Sequence, residues 1–247
     1  MRWAPSELMR MEGVLGLIRD LGWTPGAVID IGVERGTPGL YSIWPGAPIC
    51  LIEPSPRALV FMQQIAERYP NVSIYNVGAS NHTGEAPGAL HPDLVNVAIG
   101  EGKPHWTSSS FKVMTCDDIV RDAGLEGPFL YKLDTDTHER EVLEGSAETL
   151  ARSDVCVVEI SLYNTRRGRI APDEIWRTLH DKGFMMFDII GPSRAASGVL
   201  RGMDLVFVRA DCELAVEAWR RSTKTEAGVK RRAEQQQEAL TENDAID

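Results

Sequence analysis

The chain has 247 residues, 43% of them apolar, and carries 26 Lys plus Arg against 36 Asp plus Glu, a formal charge of −10. That size and composition suit one large α/β domain or two small ones, and the negative balance argues against general binding to a nucleic-acid backbone. No run of about 18 apolar residues occurs, so no membrane span is expected. The first residues lack the basic stretch and apolar core of a secretory signal, so the cytoplasm is the expected compartment.

Short apolar runs alternate with helical patterns, which predicts a mostly parallel sheet with helices on both faces. Residues 5–21 read as a helix, with Leu8, Met11, Leu15 and Ile18 on one face. Strands follow at 27–32 and 48–53, a helix at 56–69 and a third strand at 72–79. Residues 81–110 are rich in Gly, Pro, His and Ser and read as an irregular excursion; with Trp106 and Ser108–Ser110 it is a candidate acceptor-binding lid. A helix at 115–123 is capped by Thr115. A strand at 129–134, a helix at 138–150, a strand at 155–161 and a helix at 172–182 come next. Trp176 in that last helix reads as core. The closing strands, 184–190 and 204–209, have no helix between them, which favours an antiparallel final pairing in a seven-stranded sheet.

Three segments are thus expected: an N-terminal helix within 1–24, a catalytic domain over 25–222 and a polar tail over 223–247. Arg166, Arg167 and Arg169 read as a solvated loop. Cys50, Cys116, Cys156 and Cys212 show no CxxC spacing and read as free thiols, with those at 50 and 156 inside strands.

The strongest local signal is Val28-Ile29-Asp30-Ile31-Gly32-Val33-Glu34-Arg35-Gly36, a strand running into a turn with two glycines. Such a turn lets backbone approach a ligand, and ligands bind beyond the carboxyl ends of strands in open α/β sheets. The dinucleotide pattern Gly-x-Gly-x-x-Gly lacks one glycine here, which argues against a nicotinamide oxidoreductase. The next strand ends in Ile52-Glu53-Pro54, where a carboxylate would accept hydrogen bonds from a ribose diol.

A second group gathers beyond the next two strands: Lys132, Asp134, Asp136, His138 and Glu139, then Glu159 within an apolar run. The acids at 136 and 139 suit a helix N-terminus equally well. Asp134, Glu159 and His138 are each candidates for a base that takes a proton from an oxygen nucleophile. A divalent metal on Asp134 and Glu159 is a weaker alternative, because a third spaced ligand is missing.

Taken together, these motifs resemble the FkbM family of S-adenosylmethionine (SAM)-dependent methyltransferases, in order over about residues 28–209. The turn from Asp30 to Gly36 is similar to the family's Asp-Ile-Gly-Ala-Asn-x-Gly, and Ile52-Glu53-Pro54 to its Phe-Glu-Pro. Ser108-Ser109-Ser110-Phe111 and Thr115-Cys116-Asp117-Asp118 match its serine-rich segment and Thr-Leu-Asp-Asp. Lys132 to Glu139 aligns without gaps with Lys-Ile-Asp-Val-Glu-Gly-x-Glu, and Val142-Leu143-Glu144-Gly145 with Val-Leu-x-Gly. Asp204-Leu205-Val206-Phe207-Val208 matches the closing strand. The chain departs from the family at Val33-Glu34, where Ala-Asn is usual, at Asp136, where Glu is usual, and at Thr137, where Gly is usual.

The resemblance implies a class I methyltransferase fold, SAM as cofactor, and O-methylation of a small acceptor such as a sugar or secondary metabolite. It implies cofactor contacts from Asp30, Gly32, Gly36 and Glu53; Glu34 and Pro54, in the same two turns, are further candidates for that role. Lys132, Asp134 and Glu139 fall near the transferred methyl, with His138 and Glu159 beside them and Ser109, Ser110 and Asp136 toward the acceptor. N-methylation of an amine or peptide and a non-catalytic partner role are the alternatives, and homo-oligomer formation is left open.

Overall fold

The computed structural model describes residues 4–100, 105–135, 137–162 and 170–223. The elements begin with helix α1 (Met11–Asp20), strand β1 (Ala27–Ile31), helix α2 (Pro38–Ser42), strand β2 (Ile49–Ile52), helix α3 (Leu59–Arg68) and strand β3 (Val72–Tyr75). Four strands follow: β4 (Gly78–Ala79), β5 (Gly84–Leu90), β6 (Val97–Ile99) and β7 (Thr107–Met114). Then come α4 (Cys116–Asp122), β8 (Phe129–Leu133), α5 (Glu139–Glu144), α6 (Ala147–Ala151), β9 (Ser153–Ser161), α7 (Pro172–Asp181), β10 (Phe184–Arg194) and β11 (Leu200–Arg209). A further helix covers 213–223.

Seven strands form one sheet in the order β10-β11-β9-β8-β1-β2-β3. Strands β3, β2, β1, β8 and β9 pair in parallel, and β11 runs antiparallel to both β9 and β10. This is the expected sheet with its reversed final strand. Because side chains alternate across a strand, each parallel strand feeds two cores, as expected where both faces are covered. Ile29, Ile31, Tyr131, Leu133, Cys156 and Val158 pack toward α4, α5 and α7. Val28, Leu130, Val155 and Val157 pack on the other face with Val14, Leu15 and Ile18 of α1, Tyr41 of α2 and Met62 of α3.

Residues 81–110, read above as irregular, instead supply β5, β6 and the first half of β7 of a second sheet, order β4-β7-β5-β6. Their composition hides the strands because the sheet buries little: Thr107–Ser110 of β7 are all exposed. The strand expected over 72–79 is split between the two sheets. At the break, Asn76 Nδ2 donates to the carbonyls of Glu53 (2.7 Å) and Ser55 (3.1 Å), tying the chain to the loop after β2.

The helix expected over 138–150 breaks at Gly145, where a Cβ would overlap the Ser80 carbonyl oxygen. The helix expected from residue 5 begins at Met11, after a run of turns. Thr115 caps α4 as expected, accepting from Asp118 N–H at 3.0 Å. Its neighbour Asp117 accepts from the amides of Glu148 and Thr149 at the start of α6. All four cysteines are buried and free. Trp176, read as core, is instead 40% exposed, with its ring edge-on to Phe207. Among the described residues no helix is long and apolar enough to cross a membrane. Arg166, Arg167 and Arg169, and the tail from 224, lie outside the described residues.

Candidate active site

The face of the sheet that packs α1 and α2 changes character toward the carboxyl ends of its strands. Two residues beyond Val28 comes Asp30; two beyond Leu130 comes Lys132; two beyond Val157 comes Glu159. The register sets Asp30 against Lys132 and Glu159 against Asp204. Polar groups so placed need partners, and several of them find one another.

Asp30 is fully buried. Its Oδ1 accepts from Lys132 Nζ at 3.0 Å and its Oδ2 from the Tyr41 hydroxyl. Lys132 Nζ also donates to the Gly32 carbonyl (3.3 Å) and pairs with Asp134 Oδ2 at 3.2 Å. Burial opposes the charge on Lys132, but Asp134 and Asp30 outweigh it and hold the ammonium well above the ordinary lysine range. Burial, reinforced by Asp30, likewise pushes the Tyr41 hydroxyl far up.

Above this buried layer lies a cleft of about 210 Å³. Gly32, Glu34, Glu53 and Pro54 line one part of it, and Asp134, Thr135, Thr137, His138 and Glu159 another. Ile52, Ala79, Val97 and Ile99 supply apolar wall. The cleft sits beyond the carboxyl ends of β1, β2, β8 and β9, on both sides of the β1–β8 boundary where the strand order reverses, the usual ligand position in such sheets.

Glu53 is 5% exposed. Its carboxylate accepts from Glu34 N–H (3.1 Å) and Ser55 N–H (2.9 Å), which braces the glycine turn. Burial pushes its pKa up to about 7; the two amides pull it down, and the Glu34 and Asp30 carboxylates raise it further. Glu34 takes a positive φ of 47°, and its carboxylate accepts from Asn96 Nδ2. His138 Nε2 lies 3.0 Å from Ser80 Oγ and its Nδ1 lies 3.5 Å from Glu141 Oε2. Burial lowers its pKa against the pull of Glu141. Burial, with Asp134 adding and Lys132 opposing, raises Asp204 to about 6.

Of the expected site residues, Gly32, Glu34, Glu53, Pro54, Asp134, His138 and Glu159 share the cleft. Asp30 and Lys132 lie beneath it. Gly36 closes the turn, donating to Val33 O at 2.7 Å, and sits against Ile65 and Tyr41. Glu139 is buried at the start of α5. Ser109 and Ser110 are exposed on β7 and do not line the cleft. Asp136 lies outside the described residues. Asn96, Val97 and Ile99 lie inside the 81–110 segment that reads as irregular, and the sequence does not mark them out individually. Asp204 was legible only as part of the closing motif, and nothing in the sequence pointed to Tyr41 or Ser80. Among the described residues, no group of three or more His, Cys, Asp or Glu side chains is arranged to hold a metal ion.

This sheet order, with one reversed strand and a cleft at the carboxyl ends, is that of the class I methyltransferase fold. The profile of the methyltransferase FkbM domain matches residues 30–186, and the chain belongs to that family. No curated protein matches in sequence. Among solved structures, magnesium protoporphyrin IX methyltransferase from Synechocystis with bound SAM is 13% identical, with 81% of this chain and 77% of that chain covered and a TM-score of 0.47. The N-methyltransferase NodS from Bradyrhizobium japonicum in complex with S-adenosylhomocysteine (SAH) is 10% identical, with 81% and 88% covered and a TM-score of 0.46. Aeropyrum pernix fibrillarin with natively bound SAM is 12% identical, with 74% of this chain and 66% of that chain covered and a TM-score of 0.45.

Proposed function

We propose that the chain transfers the methyl group of SAM to a hydroxyl oxygen of a small acceptor, a sugar or secondary metabolite. The observation that carries the reading is the union of two chemistries in one cleft: a buried carboxylate flanked by apolar wall at Glu53, and the acids Asp134 and Glu159 beside Gly32.

The residues present fit the cofactor. Each Glu53 oxygen accepts one amide and keeps a lone pair for a ribose hydroxyl. Ile52, Pro54, Val97 and Ile99 suit packing against the faces of a flat aromatic base. A Cβ at position 32 would overlap the Asp134 carbonyl oxygen, so backbone, not side chain, borders the cleft there. Bound SAM supplies a methyl group on a positively charged sulfur, which needs no further activation.

The protein's own work is to orient the acceptor, exclude water and take the hydroxyl proton as the C–O bond forms and the C–S bond breaks, releasing SAH. We assign the proton to Asp134, whose side chain is 40% exposed and whose Oδ2 is fixed by Lys132. Lys132, held as an ammonium, is a positioning residue. His138 has its ring nitrogens directed to Ser80 and Glu141, which favours Asp134 over it. The acids at 134, 159 and 204 also favour an amine acceptor, and N-methylation is the second reading.

The test is a screen of hydroxyl and amine acceptors with methyl-labelled SAM. Label on oxygen with matching SAH formation is the expected result. Label on nitrogen alone selects the second reading. SAM binding without transfer to any acceptor points to a non-catalytic role.

A further inference from the structure

We propose that Arg57 is a positioning residue for the cofactor: it holds the 91–96 segment against the carboxyl edge of the large sheet, so that one wall of the cleft is formed before the cofactor arrives. The proposal rests on the reading of that cleft as the SAM site.

Arg57 sits between β2 and α3, outside the cleft lining. Its Nη1 donates to the carbonyls of His91 and Leu94, both at 2.8 Å, and its Nη2 to that of Pro92 at 2.8 Å. Three carbonyls of one turn thus converge on a single guanidinium, the one side chain that presents five donors in a rigid fork. The turn is shaped to offer them. His91 Nδ1 accepts the amides of Asp93 (3.1 Å) and Leu94 (3.0 Å), and the His91 ring packs edge-on to Trp106 with centroids 5.0 Å apart.

A second tie lies just beyond, where Asn96 Nδ2 donates to the Glu34 carboxylate in the glycine turn. Asn96 and Val97 then line the cleft with Glu34, Glu53 and Pro54. The two ties bracket the segment, and both run from loops of the large sheet to the small one. Turns held by exposed hydrogen bonds open readily, and ordering a loop at the moment of binding costs affinity that a preformed wall saves. Lysine offers a compact point charge in place of the fork and does not reproduce the clamp.

The test compares wild type, Arg57→Ala and Arg57→Lys by hydrogen exchange of the cofactor-free protein and by calorimetric titration with SAH. Both variants are expected to exchange faster at residues 91–97, to bind SAH about tenfold more weakly, and to raise KM for SAM with kcat retained. Their thermal midpoints should match wild type, because Arg57 is exposed. Unchanged exchange at 91–97 overturns the clamp. Faster exchange with unaltered SAH affinity overturns the positioning role, and a lysine variant equal to wild type overturns the fork argument. A wild-type protein that does not bind SAH overturns the cofactor reading and this proposal with it, an outcome separate from any of the others.

Discussion

Gly32 and Asp134 meet backbone to backbone at the carboxyl edge of the sheet. Asp134 N–H donates to Ile31 O at 2.9 Å, and a Cβ on residue 32 would overlap the Asp134 carbonyl oxygen. Gly32 also has a φ of +82°, which side chains rarely adopt. Gly32→Ala is therefore expected to cost at least about 2 kcal/mol of stability and to abolish SAH binding. Urea denaturation and titration check both, and a variant as stable as wild type would contradict the geometry.

Lys132 is buried with two carboxylates on its ammonium. Lys132→Met leaves the fully buried Asp30 without its cation, and removing one partner of a buried pair costs roughly 3–5 kcal/mol. Equilibrium urea unfolding should show that loss, and Asp30→Asn on the same background should recover part of it. A single variant that unfolds like wild type would show that the pair carries little of the site's structure.

Glu53 gives the site a pH signature. Its carboxyl sits near 7 in the fold, against about 4.3 in an unfolded chain. Between those values the folded state holds the extra proton. This contribution to stability is therefore full below about pH 4.3 and is lost as the pH rises through 7. Ribose hydroxyls donate to the ionised form, so SAH binding releases a proton and tightens from about pH 5 to 8, by up to about tenfold per unit. Titrations across that range test the sign. Glu53→Gln should flatten the profile, and a pH-independent wild type would remove Glu53 from the ribose.

Asp134→Asn keeps the size of the side chain and removes its basicity. Transfer should fall by about 10²–10⁴-fold with little change in SAH affinity, as read by single-turnover kinetics and calorimetry. Equal loss of binding and rate would instead make Asp134 a cofactor ligand.

The large sheet was legible because its central strands are buried on both faces and read as short, mainly apolar runs such as 27–31 and 129–133, interrupted only by Asp30 and Lys132. The small sheet was hidden for the opposite reason: β5 and β7 leave many residues exposed, and their Gly, Pro and Ser content reads as loop. Residues of the site that sit at strand ends, such as Glu53 and Asp134, announced themselves as acids in apolar surroundings. Asn96 and Arg57 did not, because their roles depend on contacts 62 and 34 to 37 positions away along the chain. Asp30 illustrates the middle case. Its burial was foreseeable from Val-Ile-Asp-Ile, but its commitment to Tyr41 and Lys132 appears only once α2 and β8 are packed beside β1.

A crystal structure with SAH soaked into the protein bears most directly on the cleft. The ribose hydroxyls are expected within hydrogen-bond distance of the Glu53 carboxylate, with the sulfur beside Asp134. SAH bound elsewhere, or with its ribose held by another residue, would contradict the account.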